Sequence, residues 1–561
     1  MEKITKNLLL ILVVMAIGFA AGCSRSNERL VVAATNVDAS TQTSPERQMA
    51  VGLTGRKGDV STDGSDLTKL TYCGIGWLGF STLDPFYTSG ALGVVTMYNL
   101  VDALWDVPYG GTSEVGICVK DWTISEDGCT IDANLYDNIY DWEGTHITAS
   151  DVKWFYDYYN GPVVKKALTN ISSLEQTGTY SIRIVLKFPY YPGFLQTACA
   201  NIRPVSEATY MANPNRFRND PVGTGQYKCI EFTSGARAVF QKTNKYWGDE
   251  NRLPQQRQAN VDVLCFDVIT EQSQKTTALK SHAVQLATVS ASVAEDFIKE
   301  NGDIKIKEGD AYPDALMLNM YPGSVFSNNL ALRQAVSYAL DMQPVLQAVG
   351  RGFGKAPGTF GNDKLIGYNM DWEYKYYQHD LEKAKQKLAE AGYRPGQLTL
   401  RYIDNSNFAA ELGLIMQAQL AEIGINLEIR MLDETQYLSI RALPNALDWD
   451  ICHYPNPGKN FIMNGFNTYT NITTYPWGAL NGSNDKEMYD IAQKALYDQT
   501  QENIDAVFYA LAERVWFLPT YHIPYFYAYY DKIAEPQTSF DPELVLSGGF
   551  FGSDYDIFYK K

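Results

Sequence analysis

Histidine is scarce in this chain. There are five in 561 residues, His146, His282, His379, His453 and His522, and no pair has the H-x-x-x-H spacing of a helical zinc site. A zinc-hydrolase reading has nothing to rest on. No G-x-S-x-G nucleophile elbow occurs. "GFGKAPG" misses a phosphate-binding loop at both ends, with Val349 in the place of the first glycine and Ala356 in that of the metal-binding hydroxyl. There is no Lys/Arg-rich block, and 64 acidic against 47 basic residues leave a net charge of −17, so nucleic acid and anionic membrane surfaces are poor partners. The eight cysteines are widely spaced and form no disulfide framework. Cys118 and Cys129 flank a turn, "SEDG"; pairing Ile124 with Cys129 there carries Cys118 to the far end of the ladder, which argues against a bridge between them. They read as mostly buried free thiols. No cofactor, metal site or catalytic residue is assigned, and the chain is not read as an enzyme.

Long hydrophobic runs are also missing, with one exception at the N-terminus. Lys3 and Lys6 precede "NLLLILVVMAIGFA", and "AAGC" sets small residues before Cys23. The apolar run is shorter than the ~20 residues needed to cross a bilayer. Residues 1–22 therefore read as a signal peptide, and Cys23 resembles the acylated cysteine of a bacterial lipoprotein, with Ala20 where that pattern more often has Leu. From Ser24 to Asp66 the composition turns to Ser, Thr, Asp, Gly and Asn, the signature of a flexible tether spanning 23–66, although Leu30 to Ala34 also suits a short strand.

Order is expected from Leu67. Gly74 to Gly79 fit the dinucleotide fingerprint G-x-G-x-x-G, but Trp77 and Phe80 crowd the loop and Pro85 falls where a helix would need a donor. The glycines are read as a strand-to-loop turn. "KDWTISEDGCTIDANL" is a hairpin with an Asp-Gly turn. "THITASDVKWFYDYYN" is a helix opened by a capping box of Thr148 and Asp151. "TYSIRIVLKF" is a strand, "NLALRQAVSYALDMQPVLQAV" a helix pair punctuated at Pro344, and "DLEKAKQKLAEAGY" a helix from Asp380 to Gly392. A helix and a strand follow in "AAELGLIMQAQLAEIGINLEIRML". Interleaved strands and helices define an α/β layered architecture. The 38 Tyr, 24 Phe and 10 Trp suit either core packing or a cleft with flat amphipathic walls.

Several of these stretches, in order, resemble the family 5 extracellular solute-binding proteins of ABC importers, the oligopeptide-, dipeptide- and nickel-binding group. They are "STLDP", the hairpin-to-helix segment ending in Thr148, Ala149, Ser150, Asp151 and Val152, "DPVGTGQYKC…NKYWG" with Gln226 where Pro is usual, and "NNLALRQAVSYALD" with Arg333, Gln334, Ala335, Ala339 and Asp341. The resemblance implies a two-lobe fold of the type II periplasmic-binding class, with a discontinuous first lobe (67–315 plus 517–561), an extra subdomain at about 96–199, and a second lobe (316–516). It also implies an extracytoplasmic receptor, expected to be a monomer and, from the N-terminal signal and Cys23, lipid-anchored. Such a receptor captures a peptide or other small solute and passes it to membrane permease subunits.

One segment departs from the pattern. Peptide binders of the family carry an aspartate for the ligand amine in a stretch like "DYPDP-x-NF"; this chain reads "WDICHYPNPGKNF". His453 and Asn456 stand where the aspartates would, and Lys459 adds a positive charge. The ligand-binding candidates are thus Trp77 and Tyr454 as apolar walls, with His453, Asn456, Lys459 and Asn460 as polar contacts, facing a neutral or anionic end of the solute. Alternatives are an oligosaccharide receptor of the same fold, a surface hydrolase and a non-transporting sensor.

Overall fold

The computed structural model describes residues 74–76, 81–87, 97, 99–106 and 114–531, short internal stretches such as 196–201, 254–258, 405–408, 441–446, 455–461 and 474–478 apart. The leader, Cys23 and the tether lie outside the described residues. What is described belongs to one compact unit, Asp59–Lys561.

The organising element is a ten-stranded mixed sheet. Its spatial order is Ile425–Met431, Leu398–Asp404, Ile451–His453, Ile304–Leu318, Phe517–Tyr530, Leu286–Val289, Gly74–Gly76, Val263–Asp267, Arg237–Lys242 and Tyr227–Thr233. At its centre the two long strands, Ile304–Leu318 and Phe517–Tyr530, run antiparallel from Ile304↔Tyr530 to Met317↔Phe517. Each long strand serves both halves of the sheet. Toward the Ile304 end the sheet continues through Leu286–Val289, Gly74–Gly76 and Val263–Asp267, mutually parallel. Toward the Leu318 end it continues through Ile451–His453, Leu398–Asp404 and Ile425–Met431, again mutually parallel.

The middle of the long pair is irregular for a covalent reason. Pro313, Pro519 and Pro524 have no amide hydrogen to give a ladder, and the register shifts between Glu308 and Ala311 and again between Pro313 and Ala315. Gly74 and Gly76 are strand residues flanked by strands on both sides, so the glycine fingerprint begins inside the sheet rather than in a phosphate-cradling turn.

A separate four-stranded antiparallel sheet contains the predicted hairpin, Val119–Ile124 with Thr130–Leu135, then Ser181–Leu186 and Ile171–Gln176. The hairpin turn is longer than expected: Ile124 pairs with Ile131, not with Cys129. Asp127 explains the difference, because its Oδ1 accepts from the Cys129 amide at 2.9 Å while the Ser125 hydroxyl accepts from the Thr130 amide at 2.8 Å, closing a wider loop. Cys129 and Cys229 are free thiols, half-buried, and Cys118, Cys265 and Cys452 are buried. The helix Ala149–Asn160 opens on the capping box, the Thr148 amide donating to Asp151 Oδ2 at 2.9 Å.

Several residues of the "VGTG", "YWG" and "RQA…ALD" stretches hold segments together. Gly223 and Gly225 of "VGTG" lie against the backbone of Asn99 and Leu100; a Cβ on Gly223 would stand 1.9 Å from the Leu100 carbonyl oxygen, so no side chain fits. Thr224 between them accepts from the Asp102 amide at 3.0 Å, and Trp247 of "YWG" donates its indole N–H to Asp102 Oδ2 at 2.9 Å. Gln226, in the unusual position, accepts from the Ala259 amide at 3.1 Å. The "RQA…ALD" motif spans the helices Leu330–Ala339 and Gln343–Gly350, with Pro344 in the first turn of the second. Arg333 is buried; Nε donates to the Arg514 carbonyl at 2.7 Å and Nη1 to the Phe326 carbonyl at 2.6 Å. Burial pushes its guanidinium down to about 10. Asp341, just before the N-cap Met342 of the second helix, accepts from the Gln343 amide at 2.9 Å.

Arg333→Ala would leave those carbonyls buried without their donor, so a loss of roughly 3 kcal/mol in stability is expected, read as a lower urea midpoint. An unchanged midpoint would mean that Arg333 does not hold these helices together.

Candidate ligand site at the strand ends

The register of the central sheet defines the site. Val289 pairs with Phe526, and Phe526 with Glu308, so the parallel set that includes Gly74–Gly76 and Val263–Asp267 runs toward the middle of the long strands. From the other side His453 pairs with Leu316, so Ile451–His453 and its parallel neighbours also run toward the middle. Both sets direct their carboxyl ends at the same irregular stretch. In open α/β sheets, ligands bind beyond the carboxyl ends of strands, where loops diverge and leave a crevice. The ends that converge here are Gly76, Asp267 and Val289 from one set and Asp404, Met431 and His453 from the other.

On the second set, register sets side chains side by side. Tyr402↔Ile451 and Ile403↔Cys452 bring Asp404 opposite His453. His453 Nδ1 is 3.4 Å from Asp404 Oδ1, the carboxylate being fully buried and the imidazole nearly so. Tyr402 donates its hydroxyl to Asp404 Oδ2, and Tyr437 donates to the His453 carbonyl. Burial, and next the Asp404 charge, hold the Tyr402 phenol far above its ordinary range, so it stays a donor. Asp404 is thereby engaged within the protein at both oxygens. The Tyr454 amide donates to the Ala315 carbonyl at 2.7 Å, and its ring centroid stands 6.4 Å from that of Tyr469, itself 3.7 Å from Phe517. On the first set, Asp267 is gripped by Arg237, whose Nη1 lies 2.7 and 2.9 Å from its two oxygens.

Of the residues expected from sequence, the structure places His453 and Tyr454 at this convergence. Trp77, Asn456, Lys459 and Asn460 lie outside the described residues. Asp404, Asp267, Thr520 and His522 escaped the sequence reading. The first two had a visible signal, an acid closing a strand-like run, while Thr520 and His522 were hidden in an aromatic strand. Among the described residues no group of three or more His, Cys, Asp or Glu is arranged to hold a metal ion.

The chain matches the family described as bacterial extracellular solute-binding proteins, family 5, over residues 115–493, and it belongs to that family. The glutathione-binding protein GsiB of Shigella boydii serotype 4 is 24% identical over 372 residues, covering 64% of this chain and 68% of that protein. The periplasmic binding protein DppA of Helicobacter pylori, in complex with the peptide STSA, superposes with a TM-score of 0.73 at 21% identity, over 87% of this chain and 98% of that one. AppA of Bacillus subtilis, in complex with a nonapeptide, gives 0.71 at 16% identity, over 87% and 99%. The α/β architecture is that of these two-lobe binding proteins. The family is extracellular by description, and among the described residues no helix is long and apolar enough to cross a membrane.

His522, in the middle of the long pair, is fully buried. Burial pushes its imidazole down to about 3 from an ordinary 6.5, and the Lys355 ammonium adds to the shift. The unfolded chain therefore binds a proton that the folded one refuses. Stability from this site is complete above the ordinary value and is lost as pH falls toward the depressed one. Melting temperatures between about pH 7 and pH 4 are expected to fall less steeply in His522→Phe than in the wild type. Equal slopes would remove His522 from the acid response.

Proposed function

We propose that this chain captures a peptide-like solute between two lobes and delivers it to the permease of an ABC importer. The observation that carries the reading is the convergence of two sets of strand ends on the irregular stretch of the two long strands, Ile304–Leu318 and Phe517–Tyr530, which cross between the two halves of the sheet. Such a joint lets two rigid halves move about a short irregular segment and enclose what lies between them. The lobes are taken as 67–315 plus 517–561 and 316–516, with a subdomain at about 96–199 built on the four-stranded sheet. Binding and closure need no covalent step, and the chain acts without catalysis or cofactor.

A peptide-like solute is favoured over a sugar. The proteins of this fold named above are described with glutathione, a tetrapeptide and a nonapeptide. Many of the abundant rings are also spent in packing, Trp372 stacked on Phe508 at 4.4 Å and Phe86 on Phe155 at 4.4 Å. The end of the solute facing His453, Tyr454, Asn456, Lys459 and Asn460 is taken as neutral or anionic, with Trp77 as an opposing wall. Asp404 supports this, because its oxygens are met by Tyr402 and His453 rather than left for a ligand amine.

Two experiments test the reading. Peptides retained from a pancreatic digest of casein, identified by mass spectrometry, are expected to bind at least as tightly when N-acetylated, and to reduce the radius of gyration in X-ray scattering. Tighter binding of free-amine peptides, or an identical scattering profile with and without peptide, contradicts it. Anchoring is the second matter: a monomer held at the membrane by a lipid on Cys23 alone is expected, so Cys23→Ser abolishes incorporation of labelled palmitate and releases the protein from the membrane fraction. No incorporation in the wild type refutes the anchor.

A further inference from the structure

Two polar side chains of the crossover strand take no part in the packing chemistry described so far. Thr520 and His522 are both fully buried, yet among the described residues neither the Thr520 hydroxyl nor either ring nitrogen of His522 has a hydrogen-bond partner. A buried polar group left unpaired costs about 1–3 kcal/mol, and here three such atoms fall within three consecutive residues. They also fall where the strand ends converge: His522 pairs in register with Pro313, Pro519 with Ala315, and the register shift lies between them.

The backbone here is well held, in contrast with the side chains. The His522 amide donates to the Lys355 carbonyl at 2.7 Å, and the Lys355 amide donates back to the His522 carbonyl at 3.0 Å. Gly354 permits that approach, since a Cβ there would lie 2.0 Å from the His522 carbonyl oxygen. The neighbouring charges are also balanced: Lys355 Nζ is 3.1 Å from Glu373 Oε1, which accepts from the Tyr368 hydroxyl at 2.8 Å. The unpaired groups thus sit on a fixed backbone beside a neutralised ion pair.

We infer that Thr520 and His522 form the base of the ligand site, where they hydrogen-bond a neutral polar group of the solute, an amide or a hydroxyl. This rests on the capture of a peptide-like solute proposed above and adds the chemistry of one contact. A neutral imidazole offers one donor and one acceptor, and a hydroxyl offers both. Together they match the C=O and N–H of a peptide unit, whereas a carboxylate or ammonium would find no uncompensated charge at this position. Lobe opening gives the solute access, and the contact forms as the lobes close over it.

The test uses the full-length protein and the casein digest, with Thr520→Val and His522→Phe as near-isosteric apolar replacements. Retained peptides are expected to bind about tenfold more weakly in each variant. Without peptide, the melting temperature should hold or rise, because replacing an unpaired buried polar group by an apolar one removes a desolvation cost. That opposition of signs distinguishes a ligand contact from a packing residue. Thr520→Ser, which keeps the hydroxyl, should recover at least part of what Thr520→Val loses, and this pair decides the matter if His522→Phe fails to fold. Wild-type retention in Thr520→Val and in any folded His522→Phe overturns the inference while leaving peptide capture intact. So does a Thr520→Val loss that Thr520→Ser does not restore. A wild-type protein that retains no peptide overturns both.

Discussion

Everything in this structure hangs on the pairing of Ile304–Leu318 with Phe517–Tyr530. The two strands are separated in the chain by the whole of one half of the sheet, so bringing them together costs loop-closure entropy that only a long ladder and the burial around it can offset. Once formed, the pair sets the position of both parallel sets, one at each end. It also sets their directions, and hence the place where their carboxyl ends meet. Pro313, Pro519 and Pro524, which give the ladder no amide hydrogen, accompany its register shifts between Glu308 and Ala315.

The motif residues divide into two kinds. Gly223 and Gly225 pack against backbone, Thr224, Arg333 and Asp341 bond side chain to backbone and Trp247 bonds the Asp102 side chain, so their chemistry is spent inside the protein. His453, where the sequence departs from the family pattern, closes the strand Ile451–His453 at its carboxyl end and faces Asp404.

Asp404 and His453 show how a buried charge is accommodated at such an end. A carboxylate removed from water must be met by hydrogen bonds or an opposite charge, and here a tyrosine hydroxyl and an imidazole meet it. The acid thereby orients the Tyr402 hydroxyl and the His453 imidazole. Thr520 and His522 present the opposite case, polar side chains whose backbone is secured and whose own hydrogen-bonding capacity is unspent.

Local elements were legible in the sequence because they depend on near neighbours. The capping box at Thr148 and Asp151, the helix break just before Pro344, the cap at Asp380 and the strand Ser181–Leu186 follow from side chains within a turn or two of each other. The hairpin was legible in outline, but its turn was misjudged by two residues on one strand, because the Asp127 and Ser125 side chains close a wider loop than the Asp-Gly pair suggests. His453 was legible as a departure from a pattern. What it faces was not, since Asp404 reaches it only through the parallel register of two strands that are not consecutive in the chain. The same holds for Thr520 and His522: alternation along one strand says which residues share a face, and only the long-range pairing, with its bulges, decides that this face lies where two sets of strand ends meet.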